Sequence, residues 1–239
     1  MKIVLLGFHN TMTKRQTIAG LIYLPFHIFV LPLLFGMYAN YSLEPLNEML
    51  LNAIYYGIGF VFCVIVMYKF LRIGFDLLLD NIGKVIISIL ISYLVYTALN
   101  YLVAAVMLFS IGDEFSNPNN QSVMDLLSGN GMGPTLAVTV FLGPLVEECL
   151  FRGVLFGSLA EKHRKLAHFV SIVVFALYHI WQHALVAMDW QVLIYAFAYV
   201  PVAYVLARTY EQTNSIWSPI LMHMGINLFG IMSMSALMK

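Results

Sequence analysis

The sequence predicts an all-α membrane protein, a polytopic bundle of about seven transmembrane helices with its N-terminus in the cytoplasm. Of its 239 residues, 61% are hydrophobic and only 10% are charged, and the mean hydropathy is +0.85. Soluble domains usually contain about 25% charged residues. Apolar runs of about 18 residues or more recur along the chain, and each is long enough to cross a bilayer of ~30 Å. A soluble bundle is excluded because too few polar residues remain to cover its surface.

The apolar runs divide the chain into consecutive spans without an internal repeat. The predicted spans are 18–39, 50–71, 84–111, 132–157, 166–187, 190–207 and 217–237. The third and fourth are long, so we expect them to tilt or break, and Gly143-Pro144 predicts a kink in the fourth. No small-residue cleavage site follows the first span, which predicts a retained anchor. The chain is predicted to form a single membrane domain, 1–239. Its first part, 1–131, contains three spans and an external loop.

The distribution of basic residues predicts the orientation. Lys and Arg lie before span one and after spans two, four and six: Lys2, Lys14, Arg15, Lys69, Arg72, Lys84, Lys162, Arg164, Lys165 and Arg208. The alternate loops contain only acidic charges: Glu44, Glu48, Asp113, Glu114, Asp125 and Asp189. Because short cytoplasmic loops are enriched in Lys and Arg, we expect the N-terminus inside and the C-terminus outside, with Lys239 as the exception. The polar stretch 111–133 is then an external connector, with a short helix over "SVMDLLSG".

Composition also limits the partners. The net charge is zero, which gives no indication of nucleic acid binding. Cys63 and Cys149 both lie in predicted spans, so a disulfide framework is not expected. The partners that remain are membrane lipids and a peptide or protein substrate, lipidated or not. No eukaryotic targeting signal is evident, which is compatible with a bacterial plasma membrane.

A few polar side chains interrupt the apolar spans. They are Glu147, Glu148 and Arg152 in span four, His179 in span five, and His223 and Asn227 in span seven. Ionisable groups at membrane depth cost several kcal/mol and are functional candidates. From the ~1.5 Å rise per helical residue, Glu147 lies roughly 15 Å, His179 about 20 Å and His223 about 7 Å from the cytoplasmic face. Three helices therefore place polar residues in the same cytoplasmic half, which predicts one buried site there.

Helical spacing suggests how these side chains are used. Glu148 and Arg152 are four residues apart, so they can form an ion pair that neutralises two buried charges. Glu147 is rotated by about 100° from Glu148 and is free to face another helix. A carboxylate with a histidine can hold and deprotonate water, and His223 with Asn227 can donate hydrogen bonds to an oxyanion. This is the minimum equipment for hydrolysing a peptide bond.

Three short motifs resemble those of one family. "EECLFR" is similar to the EExxxR motif of the CAAX protease and bacteriocin-processing family of intramembrane proteases, "FALYH" to its FxxxH motif and "HMGIN" to its HxxxN motif. The resemblance covers about 132–232, which would form the catalytic core. It implies an endopeptidase that cuts CAAX-type, pheromone or bacteriocin-type peptides near the cytoplasmic face, with entry laterally or from the cytoplasm. Glu147 and His179 would activate water, His223 and Asn227 would form the oxyanion hole, and Glu148, Arg152 and Phe175 would support the site.

Three alternatives remain open from the sequence. No cofactor is expected, but "HIWQH" places His183 one turn after His179, and this spacing can bind zinc together with Glu147 or His223. The HExxH pattern of classical zinc proteases is absent. A non-catalytic bacteriocin-immunity protein would keep the same cluster for stability or partner binding. A transporter would need ionisable residues continuing towards the outer face, and spans four to seven contain almost none there.

Overall fold

The computed structural model describes residues 7–41, 47–111 and 117–237. Lys2, Glu44, Asp113, Glu114 and Lys239, which the orientation argument uses, lie outside these ranges. The described residues are all-helical, and seven of their helices are long and apolar enough to span a membrane. This confirms the predicted fold class.

Nine helices account for the described chain. In order they are α1 (Lys14–Ala39), α2 (Glu48–Val66), α3 (Tyr68–Asp80), α4 (Ile82–Ser110), α5 (Pro118–Asn130), α6 (Met132–Ala160), α7 (Arg164–Ala187), α8 (Trp190–Thr213) and α9 (Trp217–Leu237). All except α3 and α5 are candidate spans, and their bounds agree with the predicted spans to within a few residues at most ends. α5 confirms the short helix predicted in the external connector.

One boundary was wrong because a second helix was missed. Span two was predicted to run to residue 71, but α2 ends at Val66 and α3 begins at Tyr68. α3 is amphipathic and too short to cross a bilayer. The Trp217 indole N–H donates to the Leu71 carbonyl at 2.8 Å, and the Ser215 hydroxyl donates to the Gly74 carbonyl at 2.7 Å. These bonds tie α3 to the start of α9.

α6 is the central helix of the bundle. In its most apolar window 61% of the residues are buried, against 17–33% in the other six spans. Charged side chains on this helix therefore face protein rather than lipid, which is the placement that makes ionisable residues tolerable in a membrane. α1, α2, α7, α8 and α9 all pack against it.

The predicted kink in span four is a local change of helical winding. Residues Ala137–Leu142 form a π-helix, with hydrogen bonds to the fifth residue along. In this pattern Thr139 would receive its bond from Pro144, which has no N–H. In a regular α-helix the N–H of Gly143 would bond to the Thr139 carbonyl, but here it bonds to the Val138 carbonyl. The carbonyl of Thr139 is thus left without a backbone donor, and a side chain from α9 supplies one.

Close contact between α2 and α6 requires a small residue at position 59. A Cβ atom on Gly59 would lie 2.6 Å from Val146 Cγ1, whereas a Cβ on Gly57 of the same helix would have no heavy atom within 4 Å. We expect Gly59→Ala to lower the free energy of unfolding by about 1–3 kcal/mol, since overpacking forces the helices apart. Gly57→Ala is the matched control. Thermal unfolding in detergent measures both, and equal stability of the two variants would contradict the packing account.

Candidate active site

The predicted site residues are brought together around one cavity. The cavity has a volume of about 430 Å³ and is lined by Glu147, His179, His223 and Asn227, with Phe175 in its wall. These five residues come from α6, α7 and α9. The sequence argument thus predicted the cluster, while the chemical role of each residue stays a prediction.

Glu147 is buried near the middle of α6 and points into the cavity. The hydroxyl of Tyr56 on α2 donates to its Oε1 at 2.9 Å. Its Oε2 lies 3.8 Å from His179 Nε2 and 3.9 Å from His223 Nε2. One oxygen is therefore anchored, and the other faces two imidazole rings at distances too long for direct hydrogen bonds.

The ring of His179 is held in a single orientation. Its Nδ1–H donates to the Phe175 carbonyl at 2.9 Å, so the neutral ring presents Nε2 to the cavity as an acceptor. The ring also stacks on Tyr199, with centroids 4.3 Å apart. α7 departs from regular helix here, because its first part ends at Tyr178 and helix resumes only at Trp181. His179 therefore sits at the break.

Glu148 follows Glu147 on α6, and its carboxylate accepts hydrogen bonds from both Arg152 and His223. Its Oε1 accepts from Arg152 Nη1 at 3.0 Å and from His223 Nδ1 at 2.9 Å. Glu148 and Arg152 have no exposed side-chain surface, so the predicted ion pair is confirmed as a buried one. Arg152 Nη2 also donates to the Ala203 carbonyl at 3.1 Å, and its guanidinium lies 4.2 Å from the ring centre of Phe175. Glu148 thus orients His223 as well as balancing Arg152.

Asn227 supplies the donor that Thr139 lacks. Its Nδ2 donates to the Thr139 carbonyl at 2.8 Å, which uses one of the two amide hydrogens. The bond fixes the amide against the π-helical segment of α6. Asn227 also lines the cavity, and its Nδ2 carries a second amide hydrogen.

His183 is separated from the cluster by the break in α7. It lies on Trp181–Ala187, so the regular one-turn spacing that suggested a zinc pair with His179 is interrupted. Its side chain lines an adjoining cavity that also reaches Gln182 and Tyr55. Across the three described ranges, no three His, Cys, Asp or Glu side chains form a metal-binding group. In this arrangement His179 and His183 therefore do not fit the predicted zinc alternative.

The described residues that line the cavity lie between the candidate site and one end of the bundle. From Glu147 the cavity passes Asn227 and Asn100 and reaches α5, the helix of the predicted external connector. The distribution of Lys and Arg predicts that the basic loops lie in the cytoplasm, and the predicted entry of the substrate is lateral or from that side. The direction of the cavity conflicts with a cytoplasmic entry in that orientation. Residue depth alone could not show at which helix ends the opening lies.

Comparison with known proteins places the chain in a family. Residues 130–229 match the family described as type II CAAX prenyl endopeptidase Rce1-like. The chain is 26% identical over 212 residues to "Putative membrane peptidase YdiL" of Bacillus subtilis, covering 84% of this chain and 80% of that protein. It is 30% identical over 142 residues to "UPF0177 protein YxdF" of Lactococcus lactis, covering 56% of this chain and 68% of that protein. The chain belongs to the Rce1-like type II CAAX prenyl endopeptidase family. No solved structure matches it significantly.

Membership of the Rce1-like family makes this chain an integral membrane peptidase with a peptide substrate. The matched segment contains all three motifs from which the resemblance was drawn. The first three spans lie outside it, yet α2 contributes the hydroxyl that holds Glu147. The site of this peptidase thus extends beyond the matched residues.

A chain of tyrosines lies beside Glu147 and was not predicted from the sequence. Beyond Tyr56, the hydroxyl of Tyr178 lies 3.4 Å from that of Tyr56 and 3.1 Å from that of Tyr55. Tyr55 donates in turn to the carbonyl of His27 at 3.0 Å. The pair "YY" in the first half of span two and the tyrosine within "FALYH" were the available signals. Tyrosine is common in membrane helices, so the pattern alone did not distinguish these from interfacial rings.

Tyr56 is expected to position Glu147 for the peptidase reaction. Tyr56→Phe removes one hydrogen bond to a charged group, which is worth about 1.5–3 kcal/mol. We therefore expect kcat to fall roughly tenfold or more with little change in KM. Tyr101→Phe on the exposed surface of α4 is the matched control. Steady-state kinetics on a cleaved peptide measure the effect, and an unchanged kcat would contradict this role.

Proposed function

We propose that the protein is an intramembrane endopeptidase in which Glu147 and His179 activate a water molecule. The observation that supports this most directly is the pair of acceptors, Glu147 Oε2 and His179 Nε2, which face the cavity 3.8 Å apart. The two hydrogens of a single water can bridge acceptors at that spacing. Its oxygen lone pair is then directed away from both and towards a bound carbonyl carbon.

In the proposed reaction the water oxygen forms a bond to the carbonyl carbon, and Glu147 takes the proton released. The tetrahedral intermediate then collapses with cleavage of the C–N bond. The proton on Glu147 passes to the leaving nitrogen, so the enzyme ends in its starting state. The hydrogen bond from Tyr56 keeps the carboxylate in place through both transfers.

We propose that His223 and Asn227 stabilise the oxyanion. The Nδ1–H of His223 is engaged by Glu148, so donation from Nε2 requires the imidazolium form. A charged His223 together with Arg152 would balance the two glutamates, giving a neutral buried cluster. The free amide hydrogen of Asn227 is the second donor. A preorganised pair of this kind acts strongly in a site shielded from water.

The substrate class we propose is a CAAX-type, pheromone-type or bacteriocin-type peptide. The supporting facts are the family membership and the bacterial origin of the two relatives. For the same reason we propose that the protein resides in the plasma membrane of a bacterium. Glu147, His179, His223 and Asn227 are the catalytic residues of this proposal, with Glu148, Arg152 and Phe175 in support.

The proposal is tested with purified full-length protein in detergent. A library of prenylated CAAX peptides and unmodified hydrophobic peptides is incubated with wild type and with His179→Ala. New termini are identified by mass spectrometry. We expect cleavage by wild type, loss of most activity in His179→Ala, and no effect of a strong chelator.

Three other outcomes would contradict the proposal, and two of them would support the alternatives left open by the sequence. Loss of activity with chelator and recovery with zinc would support the zinc-dependent alternative. Equal cleavage by His179→Ala would show that the activity belongs to a contaminant or to other residues. A protein that protects cells from a bacteriocin equally well with His179→Ala, and cleaves nothing, would be a non-catalytic immunity protein.

A further inference from the structure

The cavity runs from the candidate active site to one end of the bundle. On each spanning helix that lines it, the lining residues lie between the candidate active site and that end. On α2 the cavity passes Asn52, close to the start of the helix at Glu48, and on α9 it reaches Met234, close to the end. Between these helices it emerges beside Asn120 of α5. The mouth is therefore at the bundle end formed by the start of α2, by α5 and by the end of α9.

The opposite end of the bundle is closed. Beyond Glu147 along α6, the side chains of Phe151, Arg152 and Phe156 have no exposed surface. The segment that precedes α1 packs over this end, with the ring of Phe8 centred 5.3 Å from that of Phe156 and 5.1 Å from that of Tyr210. A peptide cannot reach the site from this end without displacing the packed rings.

Basic residues are concentrated at the closed end. Of the ten Lys and Arg among the described residues, all but Arg152 in the site lie at or beside the helix ends and loops there. The described residues at the open end include acidic and amide side chains, such as Glu48, Asn52, Asp125 and Asp189. Since Lys and Arg in short loops mark the cytoplasmic side, the closed end is the cytoplasmic one.

We infer that the peptidase takes its substrate from the extracytoplasmic face of the membrane. This inference rests on the proposed function for the chemistry, and on the cavity and the basic loops for the direction. Within the proposed substrate class, this direction selects a peptide segment already exported or inserted in the outer leaflet over the C-terminus of a cytosolic prenylated protein.

The mouth of the cavity favours an uncharged peptide backbone. Asn52, Asn100, Asn119 and Asn120 surround it, and neither Lys nor Arg contributes to its lining among the described residues. Each amide side chain offers both a donor and an acceptor, which matches the alternating N–H and C=O groups of an extended peptide. Val103 and Leu126 add apolar surface beside the amides.

The inference is tested by labelling single introduced cysteines in intact cells. Asn120→Cys places an exposed thiol at the mouth, and Lys162→Cys places one in a basic loop at the closed end. The native Cys63 and Cys149 are buried, so the unmodified protein measures the background. A charged, membrane-impermeant maleimide is added to spheroplasts, before and after lysis.

We expect Asn120→Cys to be labelled in intact spheroplasts and Lys162→Cys only after lysis. Labelling of Lys162→Cys in intact cells, or of Asn120→Cys only after lysis, would overturn the inference. Equal labelling of both before lysis would also overturn it, because it would remove the fixed orientation. The labelling does not depend on hydrolysis, so it stands or falls separately from the cleavage test in detergent.

A second measurement links the direction to the chemistry. Spheroplasts are given an uncharged fluorogenic peptide that the detergent-purified enzyme cleaves and that does not cross membranes. We expect cleavage outside the cells by wild type and its loss when the label blocks Asn120→Cys. Cleavage only after lysis would contradict the extracytoplasmic route while leaving the peptidase activity established.

Discussion

Replacement of Glu147 by glutamine is expected to lower peptide hydrolysis by roughly 1,000-fold or more while leaving the fold unchanged. The amide keeps an oxygen that can accept the Tyr56 hydrogen bond, so the local packing is preserved. It cannot accept the proton of the attacking water, and general-base catalysis of this kind contributes about 100- to 10,000-fold. The loss corresponds to about 4 kcal/mol of transition-state stabilisation. Cleavage rates of an identified peptide under single-turnover conditions measure it.

The control for the Glu147 variant is a carboxylate outside the site. Glu161→Gln removes a partly exposed carboxylate that contacts His9, far from the cavity, and should leave the rate unchanged. Both variants should elute from a sizing column in detergent as the wild type does. A Glu147→Gln enzyme that retains even a tenth of the wild-type rate would show that this carboxylate is not the base.

Loss of the Arg152 guanidinium is expected to have the largest effect on stability. Arg152→Met keeps much of the volume but leaves Glu148 as a buried carboxylate with only His223 beside it. Removal of one partner of a buried ion pair typically costs about 3–5 kcal/mol. The variant also loses the bond to the Ala203 carbonyl and the contact with Phe175. Thermal unfolding followed by fluorescence-detected size exclusion measures the loss.

A double variant separates lost packing from unpaired charge. Arg152→Met combined with Glu148→Leu removes both charges, and apolar replacement of a buried pair is often neutral for stability. We expect the double variant to regain most of the stability and to remain inactive, because His223 has lost its orienting carboxylate. A double variant as unstable as Arg152→Met alone would point to packing rather than to the charge of Glu148.

The spans could be predicted because their signal is local. Each apolar run is long enough to cross a bilayer by itself, and loop charges separate the runs. α3 was missed because Tyr68, Phe70 and Leu71 extend the apolar run of α2 past the single charge of Lys69, and no proline or glycine marks the turn at Met67. From the sequence, the pair Gly143-Pro144 predicted only a kink, and not the π-helical segment Ala137–Leu142 that precedes it. Its consequence for Asn227 depends on α9, which is distant in sequence.

The candidate site was predictable as a set of residues and less so as a network. Glu147, His179 and His223 are costly in a membrane, so their presence marks them without any structure. Tyr56 and Tyr178 incur no such cost and give no comparable signal. Which nitrogen of His223 faces Glu148, and which end of the bundle is open, depend on how helices are rotated and packed. Those properties are set by contacts between spans, not by the pattern within one.

The central position of α6 has a consequence for biosynthesis. At the middle of an isolated membrane helix, each charged residue costs about 2.5–3.5 kcal/mol, while a Leu, Val or Phe contributes only about 0.3–0.6 kcal/mol in favour of insertion. Glu147, Glu148 and Arg152 together therefore make this segment a poor substrate for the translocation machinery when it emerges from the ribosome alone. Earlier helices must be retained nearby to receive it. Assembly of the bundle and entry of its fourth span into the lipid are then a single event, with these three charged residues setting the order.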